Sequence, residues 1–336
     1  MKNAILLTLL LPLINLSAAN KPVAIVYDTD IGNDVDDALA LGMIHGLQSR
    51  GHCELLAVTI TKDNPKAAAF TDAINTFYGK PDLPIAVVKK GRTPKLGKFN
   101  GLADKKNGDG SQRYPHDLRS GDDAPEATGF LRNLLAKRPD NSVVLVQVGF
   151  FTNFRRLLES KPDDISSLNG KDLIAKKVKL LSVMAGSFQT IHDNNRYLEY
   201  NVWNDIPSAR VIAKDWPTPI IWSGFEIGMT AVYPHQSIER DYDYVPHHPL
   251  KDAYYLYNPP PHDRPTWDLT SVIASVWPDR DYFTYSVPGH VTVEQDGFTR
   301  FKPVKDGKHR FLKLDPLRNA RLREALVQLC SQPPAR

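Results

Sequence analysis

Hydrophobic positions along this chain fall into two alternating patterns. Short apolar, β-branched runs recur, each with polar residues crowded at its exit: Val23–Tyr27, Leu55–Ile60, Ile85–Val88, Val143–Val148, Val178–Val183 and Pro219–Trp222. Runs of this kind read as strands buried on both faces of a parallel sheet. Between them lie stretches with helical apolar spacing, at 65–78 with Pro65 near its first position, and at 125–136, 152–159, 171–177 and 207–215. Behind Gly32, the residues Ala38, Leu39, Leu41, Met43 and Ile44 form a further helical stripe, with an Asp placed to cap its first turn. The alternation predicts βαβ units and an α/β fold, a mostly parallel central sheet flanked by helices. From Tyr282 the pattern changes to a few antiparallel strands, Val291–Glu294 among them, and a closing helix near Pro316–Leu329.

Two segments break the rhythm. Residues 89–124 are rich in Gly, Lys and Asp, and residues 228–266 in Tyr, Pro and His. Long loops in a compact enzyme serve as lids, binding loops or oligomer contacts. At the start, Lys2, the apolar Ala4–Leu16 and the small residues Ser17 and Ala19 read as an export signal over 1–19, cleaved before Asn20 and sending the protein to the periplasm or beyond. It is too short for a membrane span, and no Cys follows it to carry a lipid. Residues 20–336 then read as one α/β domain, since no Gly, Ser or Pro linker divides them.

Charge narrows the partners. The formal net charge is +4, with 24% charged residues and no basic run interleaved with aromatics. Neither nucleic acid nor an anionic membrane is called for. Cys53 and Cys330 allow either one disulfide or two buried thiols.

The polar exits carry the chemistry. Asp28 to Asp37 follows the first strand, Thr61 to Asn64 the second, Gly149 to Asn153 the Val143 run, and 184–201 the Val178 run. In parallel sheets ligands bind outside the carboxyl ends of the strands, so these segments share one rim. The first holds five carboxylates, Asp28, Asp30, Asp34, Asp36 and Asp37. Like charges this close resist joint ionisation, and a helix cap accounts for one or two of them. A hard divalent cation fits the rest, and with no Cys or His nearby it is calcium, or magnesium as second choice, rather than zinc.

The stretch DTDIGNDVDDALAL resembles the N-terminal signature of the nucleoside hydrolase family of the inosine-uridine-preferring type, usually DxDxGxDDxxA, with Asp34 and Val35 as a two-residue insertion. The resemblance continues through VVLVQVGFFTNF, LEYNVWND and RPTWDLTSVIASVW, in the family order. It implies a Rossmann-like nucleoside hydrolase fold and calcium-dependent hydrolysis of the N-glycosidic bond of nucleosides or related N-ribosides. Asp30 becomes the general base and a metal ligand. Asp37, Asp268 and the backbone carbonyl of Val148 complete the metal set. Asp36, with Asp34 as a competitor, binds ribose hydroxyls together with Asn64, Glu199 and Asn201. A further family asparagine falls on Asp193, with Asn194 and Asn195 beside it. Trp267 stands where the family has a histidine proposed to protonate the leaving base, which leaves His262 as a donor from the loop and puts base preference in question. Trp203 is a further neighbour for the base. Homo-oligomers are common in that family.

Two other readings compete. A secreted nucleoside- or sugar-binding protein would keep the pocket without turnover, and the missing histidine favours it. A phosphatase of the haloacid dehalogenase type also opens with an apolar strand and DxD, but has Thr or Val where this chain has Gly32, and leaves Glu199 and Asp268 unexplained.

Overall fold

The computed structural model describes residues 21–335, so the export signal expected over 1–19 lies outside the described residues. β1 (Val23–Thr29) leads to α1 (Asp36–Ser49), β2 (Cys53–Lys62) to α2 (Pro65–Phe77), and β3 (Ile85–Arg92) to an excursion with two short 3-10 turns before α3 (Ala127–Ala136). β4 (Val143–Gln147), α4 (Thr152–Glu159), α5 (Gly170–Lys177) and β5 (Val178–Met184) follow, then α6 (Tyr200–Asn204), α7 (Ile206–Asp215), β6 (Ile220–Ser223) and α8 (Phe225–Thr230). The long segment at 228–266 is not a bare loop. It pairs β7 (Val232–Tyr233) with β8 (Arg264–Pro265) around two helices, α9 (His235–Arg240) and α10 (Pro249–Tyr257). α11 (Trp267–Val276), β9 (Thr284–Tyr285), β10 (Gly289–Val293), β11 (Thr299–Pro303), β12 (His309–Lys313) and α12 (Pro316–Cys330) complete the chain.

The main sheet has ten strands in the order β11-β10-β12-β6-β5-β4-β1-β2-β3, with β9 on β12. From β6 to β3 every pairing is parallel. The antiparallel additions are present as the β10–β11 pair, while β12 extends the parallel region against β6. Ile25 and Tyr27 face a core shared with Leu39, Ile74, Val272 and Leu326, and Val26 faces the opposite core with Leu131, Phe154, Ile174 and Ile212. Burial on both sides is why these strands show no polar alternation.

The strand order reverses between β4 and β1. From β1 the chain winds outward to β3, then returns and winds the other way from β4 to β6. The connections leaving β1 and β4 diverge and open a crevice at that switch point. Gly32 makes the turn after β1 with φ +112, and a Cβ there would lie 2.1 Å from the Asn100 amide.

One local expectation needs correction, and one open choice, that of the cysteines, falls to buried thiols. The first residue before α1 is Val35, which offers no side-chain cap, and Asp34 instead accepts from the N–H groups of Val35 at 2.6 Å and Asp36 at 3.3 Å. Cys53 and Cys330 are both free and buried, each thiol directed at a carbonyl of α1. Among the described residues no helix is long and apolar enough to cross a membrane.

Candidate active site

A cavity of about 300 Å³ occupies the switch-point crevice. Its wall brings together Asp30, Asp34, Asp36, Asp37, Val148, Glu199, Asn201, Trp267 and Asp268 from the residues expected to form a site. They come from the exits of β1, β4 and β5 and from the starts of α1, α6 and α11.

Asp36 and Asp37 occupy the first turn of α1, and Asp268 the first turn of α11. Two helix N-termini thus meet, and their exposed N–H groups favour the negative charge. Each of the three carboxyl groups offers an oxygen within 4.8 Å of the other two, and all three are buried. The Asp268 N–H donates to Asp36 at 3.1 Å, and the Thr29 hydroxyl donates to Asp37. Burial and mutual repulsion push all three pKa values well above the ordinary carboxylate value. Protons or a cation must offset this charge. The donors are oxygen alone, a set that can hold a hard metal ion.

Asp30 ends the strand exit beside them. It is 4% exposed, and burial raises its pKa to about 6. Asn33 donates to its Oδ2 at 2.6 Å. Asp28 lies behind the cavity rather than in it, fully buried, with its pKa pushed by burial to about 8. The amide of Asn153 donates to it at 2.9 Å, and the Thr59 hydroxyl also donates to it, so Asp28 ties β1 to β2 and α4.

Glu199 and Asn201 are built into the start of α6. Glu199 accepts from the backbone N–H groups of Asn201 at 2.8 Å, Val202 at 3.1 Å and Gly186 at 3.1 Å, while burial raises its pKa to about 7. Asn201 donates to the Val148 carbonyl at 2.7 Å and to the Met184 carbonyl at 3.1 Å. The Val148 oxygen expected to face a metal is therefore also a hydrogen-bond acceptor for a residue expected to hold sugar.

Other expected residues stand elsewhere. Asn64 caps α2, accepting from the Lys66 N–H at 3.0 Å and donating to the Pro94 carbonyl at 2.8 Å, and it does not line the cavity. Its amide is consumed by the turn. Asp193 and Asn194 sit on an exposed bridged turn, Ile191 to Asn194, outside the wall, and neighbouring Asn195 is exposed as well. His262 is also off the wall, with its Nε2 3.5 Å from the Arg264 guanidinium. Trp203 projects into solvent. Trp267 does line the cavity, but its indole N–H is spent on the Phe225 carbonyl at 2.9 Å and its ring lies 5.2 Å from that of Phe225. It offers a flat apolar face and no free proton.

Sequence reasoning missed Asn33, Tyr200, Phe225 and Tyr257 on the wall, and Lys62 and Arg264 behind it. Lys62 left a signal, an ammonium closing a strand whose middle, Leu55–Val58, is apolar. Arg264 left none.

A crevice at the reversal of a parallel sheet, lined by clustered acids from two helix starts, defines an acidic ligand site in an α/β fold, with oxygen donors able to hold a hard metal ion. The model of the inosine-uridine preferring nucleoside hydrolase family matches residues 25–323, and the chain belongs to that family of N-glycosyl hydrolases. Solved structures with the same fold include a plant nucleoside hydrolase, PpNRh1, at 20% identity, covering 93% of this chain and 100% of that one with a TM-score of 0.69. The purine-preferring ribonucleoside hydrolase of Gardnerella vaginalis is 18% identical over 92% of this chain and 99% of that one, with a TM-score of 0.67. The type III effector protein XopQ, solved with adenosine diphosphate ribose, is 16% identical over 94% of each chain, with a TM-score of 0.64. No curated protein sequence matches. Family membership displaces the phosphatase reading.

Proposed function

We propose that this protein is an exported hydrolase that cleaves the N-glycosidic bond of ribonucleosides to free base and ribose, with calcium as its metal and magnesium as second choice. What carries the reading is the convergence of Asp30, Asp36, Asp37, Asp268, the Val148 carbonyl, Glu199 and Asn201 on one cavity large enough for a nucleoside. The donor set suits a hard cation: following the family resemblance it would be held by Asp30, Asp37, Asp268 and the Val148 carbonyl, with Asp36 packed against Asp37 and Asp268, and when bound it would supply charge and a polarised water.

The remaining work falls to side chains. Asp30 takes the proton of the attacking water, since it sits on the cavity wall at the exit of β1 beside the acidic cluster. Asp36, Glu199 and Asn201 hold the ribose hydroxyls and fix the anomeric carbon in line with that water. As the bond to the base breaks, positive charge spreads over the sugar ring, and the surrounding carboxylates stabilise it. The base leaves along the wall formed by Trp267 and Phe225, where ring stacking holds a flat heterocycle. With His262 off the wall and the Trp267 N–H engaged, the hydroxyls of Tyr200 and Tyr257 are the lining groups able to donate to the departing base.

The test is ribose release from a panel of purine and pyrimidine nucleosides by the purified protein, with and without a calcium chelator. Chelator-sensitive release supports the reading and reports base preference. No release from any nucleoside by calcium-loaded protein overturns it.

A further inference from the structure

Lys62 closes β2 with its side chain almost fully buried, 3% exposed. A buried ammonium is costly unless its protons are met, yet among the described residues Lys62 forms no direct ion pair. Its Nζ donates to Asn33 Oδ1 at 2.6 Å and to the Thr93 carbonyl at 3.0 Å. Asn33 carries the contact onward, with its Nδ2 2.6 Å from Asp30 Oδ2 and 3.1 Å from the Thr93 hydroxyl.

The backbone is bent to make this possible. Pairing of β2 with β3 is regular from Val58 to Ile60 and then jumps to Lys62 opposite Arg92. Within that irregular stretch Lys90 and Thr93 adopt φ of 54 and 48, left-handed values that side chains with a Cβ disfavour. The result sets the Thr93 carbonyl over the ammonium and its hydroxyl beside Asn33.

We propose that Lys62, acting through Asn33, is the positioning residue for Asp30. An ammonium has donors only, so it requires the oxygen end of the Asn33 amide. The amide is thereby prevented from flipping, and its NH₂ end must face Asp30. One carboxylate oxygen of Asp30 is tied down and the other is left for the proposed metal and the reacting water. An amide held by hydroxyls alone could turn either way and would fix neither oxygen.

This rests on Asp30 acting as the base. The experiment measures ribose release by calcium-loaded wild type, Lys62→Met, Lys62→Arg, Asn33→Ala and the Lys62→Met/Asn33→Ala double variant. Calorimetric binding of free ribose provides a readout without turnover. Lys62→Met and Asn33→Ala each lower kcat about 10- to 100-fold, with KM and ribose affinity within about threefold of wild type. The double variant is no worse than the poorer single, because both break one relay. Lys62→Arg recovers part of the loss. Should Lys62→Met fail to fold, Asn33→Ala carries the test alone. The proposal is overturned if Asn33→Ala keeps kcat within about threefold of wild type, if the loss appears in KM and ribose affinity instead, or if the two losses multiply. Inactive wild type removes the proposed function and this inference together, a pattern distinct from active wild type with indifferent variants.

Discussion

Arg264 reaches Asp34 with both prongs of its guanidinium, Nε lying 2.9 Å from Oδ1 while Nη2 donates to Oδ2. The same guanidinium lies 4.8 Å from the Tyr257 ring and 5.0 Å from the Trp267 ring. One residue of the 228–266 segment thus fastens that segment to the first carboxylate loop and stiffens two members of the cavity wall. Arg264→Met leaves Asp34 without its counter-charge in a half-buried place. Urea unfolding should show a loss of about 2–3 kcal/mol. Arg264→Lys should recover less than half, because an ammonium cannot match the fork. An Arg264→Met protein as stable as wild type would mean the pair contributes nothing.

Asp30→Asn separates a hydrolase from a binder. The change keeps shape and removes the base together with one charged metal ligand, so in saturating calcium kcat should drop by at least roughly 10²–10⁴-fold. A binder has no turnover to lose. Assays of ribose release beside calorimetry of ribose binding distinguish the two.

Acidity and the metal are linked with a definite sign. Burial raises the folded-state pKa of Asp30 to about 6 and that of Glu199 to about 7, and lifts Asp36, Asp37 and Asp268 well above their ordinary value. A carboxyl raised on folding binds more protons folded than unfolded, so its contribution weakens as pH climbs from its unfolded value toward its folded one. The ion-free protein should therefore melt at lower temperature as pH rises from about 5 to about 8. Calcium binds the ionised carboxylates, so its stabilising effect should grow over the same range. Thermal melts with chelator and with calcium at several pH values give the comparison; a gap that narrows toward alkaline pH contradicts the argument.

The cysteines make a simpler forecast. Burial pushes the Cys53 thiol up to about 12 and raises Cys330 as well, and neither is bonded. Native protein should react with neither thiol reagent nor reductant, and both thiols should become titratable in denaturant. Rapid labelling of folded protein would show that the core around α1 opens.

Much of this fold is written locally. The six parallel strands are legible because burial on both faces leaves uninterrupted apolar runs, and the Asp cluster is legible because its members are neighbours in sequence. What escaped reading is non-local. Arg264 meets Asp34 across 230 positions with no pattern to announce the meeting, and Lys62 meets Asn33 across 29, where the lysine at the strand end was visible but its partner was not. Helices α9 and α10 were hidden by the prolines and aromatics around them, and β12 joined the parallel sheet only after a hairpin had placed it there. Asn64 is ambiguous for a different reason. An asparagine at a strand exit suits a sugar contact and a helix cap equally, and its amide went to the cap.

The hydrogen bond from Asn201 to the Val148 carbonyl has a thermodynamic consequence. On the proposed roles, an ion drawing on that carbonyl and a sugar engaging that amide act on the two ends of one bond. Their binding free energies are then not independent. By reciprocity, whatever factor the ion applies to the affinity for ribose, ribose applies to the affinity for the ion. The affinity for calcium measured with and without ribose should therefore change by the same factor as the affinity for ribose measured with and without calcium.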